Sequence, residues 1–256
     1  MTSTLDDTPT DDLFLGGRLR LLQPGKGHRA GLDAVMLAAA TAVLAGEHVL
    51  DVGCGTGVVG LCIASRIAGT RVTGIEIDPT VADLARENAR RNGLADRVAV
   101  VTGDVRAPEA TLVAQGLVRE SFDVVVSNPP FLAADRGTGS PRPDRRRASQ
   151  MAEAGLDEWL RFMAAMARPG GRLALVYDAA ALAEVLAALE GRFGDIAVLP
   201  LHPTASAPAL RVIMLARKGS RAPLRLLPGL VVHRDDRGFT DAAERILRHG
   251  EALNVR

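Results

Sequence analysis

The chain has 256 residues, 47% of them hydrophobic, enough to bury a full core in one large α/β domain and cramped for two independent ones. A formal charge of +1 excludes a global positive field, so any contact with nucleic acid has to come from local patches. The only two cysteines, Cys54 and Cys62, lie eight residues apart with no histidine spacing suited to a metal, and read as small, reduced, buried side chains.

Residues 1–12 read as a disordered polar tail. Asp6, Asp7, Asp11 and Asp12 among threonines fit neither a signal peptide nor a transit peptide. No run approaches the ~18 apolar residues of a membrane helix, so no membrane role and a cytoplasmic address are expected. An extension over residues 13–46 follows. Arg18-Leu19-Arg20-Leu21 alternates as a half-buried strand does, Pro24-Gly25-Lys26-Gly27 breaks it, and Leu32 to Leu44 reads as a largely buried helix ending at Gly46.

Residues 47–218 then repeat strand and helix. Strands are expected at His48 to Asp51, Arg71 to Ile77, Arg97 to Thr102 and Phe122 to Ser127, then at Arg172 to Tyr177, Ile196 to Leu201 and Leu210 to Ala216. Helices are expected from the glycine turn at 53–57 to about Ile67, from an Asp78 N-cap with Pro79 at the first helical position to Gly93, from Leu156 to Ala167, and from Ala180 to Leu189. Such alternation with nearly continuous apolar strands specifies a parallel sheet covered on both faces. In the terminal extension, 219–256, Leu224 to His233 reads as an extra strand and Thr240 to Leu253 as a capped helix.

In an open α/β sheet ligands bind at the carboxyl ends of the strands. Four polar spots fall there in succession: Asp51 to Gly57, Glu76 25 residues after Asp51, Asp104 28 later, and Asn128 24 later, one strand-helix unit each time. Gly53, Gly55 and Gly57 would let the backbone approach a ligand, with a helix N-terminus facing its anionic group. Glu76 would accept hydrogen bonds from ribose hydroxyls and Asp104 from an adenine amine. A structural turn is the plain alternative. Gly55-Thr56-Gly57-Val58-Val59-Gly60 also satisfies the dinucleotide fingerprint, with Glu76 21 residues after Gly55, so a nicotinamide enzyme competes.

Ser127-Asn128-Pro129-Pro130-Phe131 follows the apolar run Val124-Val125-Val126. Proline ends strands for want of an N–H, but that explains neither the asparagine nor the aromatic. An exocyclic amine is a poor nucleophile because its lone pair is delocalised. If the Asn128 side-chain carbonyl and the Pro129 backbone carbonyl accept its two hydrogens, the lone pair can turn toward an electrophilic methyl, and Phe131 would stack on the base.

At these motifs the sequence resembles the class I S-adenosylmethionine-dependent methyltransferases, and more closely the bacterial tRNA1(Val) adenine-N6-methyltransferase family. The likeness also takes in Phe14 to Arg18, Gln23-Pro24, His28 to Asp33, Leu230 to His233 and Phe239-Thr240. The resemblance implies a Rossmann-like, seven-stranded, mostly parallel sheet, S-adenosyl-L-methionine as cofactor, and tRNA as partner, methylated at adenine 37 beside the anticodon. By carry-over, Gly53, Gly55 and Gly57 would cradle the methionine part of the cofactor, Glu76 its ribose, and Asp104 with Val105 its adenine, with Asp51, Cys54 and Ile77 also counted among the cofactor-binding residues. Asn128, which also borders the cofactor, would hold the target base with Pro129, Pro130 and Phe131.

Arg136, Arg142, Arg145, Arg146 and Arg147 in a Gly/Pro-rich loop, and Lys26, His28 and Arg29 before the first long helix, are candidate RNA contacts, solvated loops being the alternative. No metal is expected, and oligomeric state is left open. The competing enzyme is a release-factor glutamine-N5 methyltransferase, which faces the same planar nitrogen but usually carries a larger N-terminal helical domain. A non-catalytic nucleotide-binding module would leave Asn128 to Phe131 without a task.

Overall fold

The computed structural model describes residues 8–26, 29–129 and 145–255, the last without the side chains of 145–154. Strand β1 (Thr10–Phe14) and β2 (Leu19–Gln23) form an antiparallel hairpin, with Thr10 opposite Gln23 and Phe14 opposite Leu19. Strand β1 thus occupies the end of the stretch expected to be a tail; Thr10, Asp12 and Phe14 are half-buried on one side of it, and Asp11 and Leu13 are exposed on the other.

Helix α1 (Leu32–Ala40) is shorter than expected. Both the Thr41 hydroxyl and its backbone N–H donate to Leu37 O, at 2.7 and 3.0 Å, and Thr41 is already extended (φ −74°, ψ 111°). Then come β3 (His48–Val52), α2 (Val58–Arg66), β4 (Arg71–Glu76), α3 (Pro79–Arg91), β5 (Val98–Thr102), a short α4 (Glu109–Ala114) that the sequence did not announce, and β6 (Phe122–Ser127). The expected cap of α3 is present: Asp78 Oδ1 accepts from the N–H groups of Thr80 and Val81, with Pro79 at the first helical position.

Helix α5 (Arg145–Met166) begins eleven residues before the expected start at Leu156 and is interrupted at Gly155 (φ 70°, ψ 156°), so the stretch from Leu156 onward is the helix anticipated. Arg145, Arg146 and Arg147 therefore lie on a helix and not in a loop. Strand β7 (Ala167–Asp178), α6 (Leu182–Leu189), β8 (Phe193–His202) and β9 (Arg211–Lys218) complete the main sheet. In place of one extra strand there are two short ones, β10 (Arg225–Leu226) and β11 (Leu230–Val231), each parallel to β8. Pro228, lacking an N–H, separates them. Helix α7 (Asp241–His249) has Thr240 as N-cap and stops at Gly250 (φ 64°), short of the expected Leu253.

The sheet order is β5-β4-β3-β6-β7-β9-β8, extended by β10 and β11 along β8. The strands from β5 to β7 are mutually parallel; β9 runs antiparallel to both β7 and β8. One face packs on α1, α2, the hairpin and α7, the other on α5 and α6. The first of these cores joins Leu19 and Leu21 of the hairpin to Leu230, Val232 and Ile246 near the C-terminus. The expected N- and C-terminal extensions therefore share one core with the central sheet. Among the described residues no helix is long and apolar enough to cross a membrane.

Helix α3 holds the hairpin through side-chain amides. Asn88 Oδ1 accepts from Leu22 N–H (2.7 Å) and its Nδ2 donates to Leu22 O (2.9 Å) and to Thr56 O (3.0 Å); one turn on, Asn92 exchanges the same pair of bonds with Arg20. Asn88 is fully buried, so truncating it strands buried backbone partners. Asn88→Ala is expected to cost about 2–4 kcal/mol in urea unfolding, because each buried group left unpaired costs about 1–3 kcal/mol.

Candidate active site

The chain leaves β3 to build β4 and β5 on one side and returns to build β6 on the other, so the strand order reverses between β3 and β6. A crevice opens at the carboxyl ends of strands at such a point. Asp51 is level with Val126 across it, so Gly53 and Asn128, each two residues on, leave the sheet side by side.

The turn after β3 is fastened to β4, because the N–H groups of Gly53 and Cys54 both donate to Ile75 O, at 2.9 and 3.0 Å. Gly55 sits at φ 58°, where an L side chain is strained, and a Cβ there would point into open space. Glu76, 4% exposed, supports this turn from below: Oε2 accepts Gly55 N–H (2.9 Å) and Oε1 accepts Asp78 N–H (3.0 Å).

Asp51 is buried, and its Oδ2 accepts Gly60 N–H at 3.1 Å. Burial pushes its carboxyl up to about 7; the Gly60 bond opposes this and the nearby Glu76 charge adds to it. Among the described residues neither Asp51 Oδ1 nor Thr56 Oγ1 has a hydrogen-bond partner, although both are shielded from solvent. A ligand that carries hydrogen-bond donors would satisfy such orphaned atoms. Cys54 is buried at the same turn, and Ile77 is half-buried beside Glu76.

At the next strand end Gly103 N–H donates to Glu76 O (2.9 Å), which brings Asp104 beside Glu76. Asp104 is already engaged. It accepts from the Arg106 backbone N–H (2.9 Å) and from its guanidinium, at 2.9 Å from Nη2 and 3.2 Å from Nε. Burial would raise this carboxyl, but the side-chain and backbone hydrogen bonds and charge of Arg106 outweigh it and hold the group below the usual range. Val105 is half-buried and packs against the core under α4 and α5.

At the tip of β6, Asn128 is half-buried, and its Oδ1 is shielded and without a hydrogen-bond partner among the described residues. Pro129 is buried. Pro130 and Phe131 lie outside the described residues, as do His28, Arg136 and Arg142; the side chains of Arg145, Arg146 and Arg147 do also. Lys26 is exposed. Arg29 is exposed and pairs with Asp12 of β1 at 2.5 Å.

Sequence reasoning missed Trp159. Its indole Nε1 donates to Ser127 Oγ (3.0 Å), whose own hydrogen goes to Val52 O (2.7 Å), and its ring lies over Gly53. That it is the one tryptophan in the chain was the available signal. The histidines outside the site are structural where they are bonded: His48 Nε2 meets Thr73 Oγ1 at 2.9 Å, and His202 Nδ1 meets Ala207 O at 3.0 Å. Cys54 and Cys62 are buried and form no disulfide, and burial pushes the Cys62 thiol up to about 12.

The profile of the methyltransferase small domain matches residues 31–140, a stretch that runs from α1 past the tip of β6. A tRNA1(Val) (adenine(37)-N6)-methyltransferase of Porphyromonas gingivalis is 36% identical over 179 residues, 66% of this chain and 65% of the relative. A release factor glutamine methyltransferase of Moorella thermoacetica is 35% identical over 161 residues, 59% of this chain and 54% of that protein. Among solved structures, one from Agrobacterium tumefaciens described as a predicted O-methyltransferase superposes with a TM-score of 0.73 at 29% identity, covering 88% of this chain and 99% of that one. The chain spans about 65% of the length of the Porphyromonas gingivalis relatives.

Proposed function

We propose, on the premise that this chain belongs to the class I S-adenosylmethionine-dependent methyltransferases, that it methylates an exocyclic nucleic-acid amine, N6 of an adenine in tRNA, and adenine 37 of tRNA1(Val) in particular. The observation that carries the reading is the shielded, unpartnered Asn128 Oδ1 at the strand tip beside the glycine turn. An acceptor placed there suits a planar nitrogen that carries two hydrogens.

The residues fit the cofactor. The open space at Gly55 would admit its methionine portion, Asp51 Oδ1 would take a donor from its ammonium end, the Glu76 carboxylate at the end of β4 would take ribose hydroxyls, and Asp104, steadied by Arg106, would take the adenine amine. When bound, S-adenosylmethionine supplies a methyl group on a positively charged sulfur. The chain's own part is to fix the acceptor nitrogen: Asn128 Oδ1 and Pro129 O accept its hydrogens, and Phe131 stacks on the base. An anticodon loop already presents unpaired bases, so extruding one costs little.

Much of the arginine on the described surface is occupied by carboxylates, as in Arg86–Asp83, Arg90–Glu87, Arg106–Asp104 and Arg211–Asp33. This supports assigning the phosphate contacts to the stretch from Arg136 to Arg147, which follows the base-binding motif. A cytoplasmic address accords with a tRNA substrate.

The test is methyl transfer to individually transcribed tRNAs, digested and read by mass spectrometry, with calorimetry of S-adenosylmethionine against NAD. N6-methyladenosine in one tRNA is the expected outcome. Methylation of a release-factor glutamine in place of tRNA would replace the substrate assignment by the second reading, which the Moorella thermoacetica relative favours. Preference for NAD would remove both.

A further inference from the structure

We propose that Trp159 is a positioning residue that sets the separation between the cofactor turn and the substrate-holding tip, an inference that rests on the methyltransferase reading above. The backbone pairing of β3 with β6 ends at Asp51 and Val126. One residue further the Ser127 hydroxyl, fully buried, donates to Val52 O at 2.7 Å, and so adds a side-chain rung where the backbone ladder stops. A serine hydroxyl has one hydrogen; with that committed to Val52, its lone pairs face the Trp159 indole N–H, which donates at 3.0 Å. The relay therefore runs from α5 through the residue before Asn128 to the residue before Gly53.

The same indole bears directly on the turn. A Cβ at Gly53 would lie 2.8 Å from Trp159 Cζ2 and 2.9 Å from Cη2, and Gly53 stands at φ 68°. No residue but glycine lets the ring come this close, so ring and turn fix one another. Trp159 thus touches Gly53 on one side and the group bonded next to Asn128 on the other. Gly53 leads the turn assigned to the cofactor and Asn128 holds the acceptor nitrogen, so this contact sets the distance across which the methyl group moves. Methyl transfer needs the nitrogen in line at near-attack distance, and about 1 Å of misplacement can cost about 10²-fold in rate.

Trp159→Phe keeps an aromatic residue in the core but removes both the N–H donor and the outer ring carbons Cζ2 and Cη2 that lie against Gly53; Ser127→Ala removes the hydroxyl that receives the N–H. For Trp159→Phe we expect kcat for methyl transfer to fall by about 10–100-fold, in line with a sub-ångström to ångström displacement. Calorimetric affinity for S-adenosylhomocysteine should change by less than about threefold, well under the tenfold that corresponds to 1.4 kcal/mol. The double variant should be no slower than the slower single one, since both cut the same relay. A residue that merely stabilised the fold would move thermal midpoint and affinity along with kcat.

Trp159 is the only tryptophan, so its emission is a second readout that needs no acceptor. S-adenosylhomocysteine should shift the emission of the wild-type protein. Wild-type kcat in Trp159→Phe, fully additive losses in the double variant, or unchanged emission at saturating S-adenosylhomocysteine would each overturn the proposal. If the wild-type protein modifies a protein amide in place of tRNA, the substrate assignment fails and the emission and relay measurements still decide the role of Trp159.

Discussion

Asn128→Ala is expected to lower kcat for methyl transfer by about 10²–10³-fold, the loss seen when one preorganised polar group at a reacting centre is removed. The lone pair of an exocyclic amine lies in the ring's π system, which makes the nitrogen a poor nucleophile. The proposed means is geometric: acceptors for both hydrogens draw the nitrogen toward tetrahedral shape. Asn128 Oδ1 is shielded from water and has no competing donor among the described residues, so its capacity is free for that purpose. Alanine removes the acceptor and leaves the Asp51, Glu76 and Asp104 contacts in place, so affinity for S-adenosylhomocysteine should stay near wild type. Single-turnover kinetics on a methylatable tRNA, with calorimetry alongside, separates the two effects. A fully active Asn128→Ala would discard the mechanism.

The second large effect concerns Asp51, whose carboxyl burial pushes up to about 7 from an ordinary value of 3.8. Between roughly pH 4 and 7 the folded chain therefore holds a proton that the unfolded chain has released. Stability from this group is greatest below that window, falls as pH rises through it, and is level above about 7, where the carboxylate is charged in both states. The loss across the window is at most about 4 kcal/mol, at 1.36 kcal/mol per pH unit. Asp51→Asn removes the titration, so its urea midpoint should gain on the wild-type protein from pH 5 to 7 and keep a constant lead at pH 8.

Affinity for S-adenosylhomocysteine should run the other way. It should rise with pH through about 7 in the wild-type protein, as the free Oδ1 becomes a charged acceptor, and be weak and flat in Asp51→Asn. A carboxylate buried at a cost to the fold and needed by a ligand is a familiar trade between stability and function. Parallel stability curves for the two proteins would show that Asp51 does not titrate in this range.

How much could be read in advance differed by element. The Asp78-Pro79 start of α3 and the Thr240 start of α7 were legible because a cap involves only the next three residues. The four polar spots at Asp51, Glu76, Asp104 and Asn128 were legible for a related reason, since the length of one strand-helix unit brings each strand end back to the same edge. Helix α1 was read too long, because alanine-rich composition carries no trace of the Thr41 hydroxyl bond that closes it. Strand β1 was missed because two of its five residues are aspartates whose partners, Arg20 and Arg91 for Asp11 and Gln23 and Arg29 for Asp12, lie elsewhere in the chain.

The sequence by itself determined that this chain alternates strand and helix, that a glycine turn follows the first sheet strand, and that an asparagine and two prolines end the fourth. Periodicity, caps and turn residues act between neighbours, so they are written in the order of the letters. Only the tertiary structure decided that β9 runs against its neighbours, that Arg29 is spent on Asp12, that Asn88 fastens the hairpin to the glycine turn, and that Trp159 lies between Gly53 and Ser127. Those facts depend on which surfaces meet when the strand order reverses between β3 and β6, and packing across such distances has no local period to betray it.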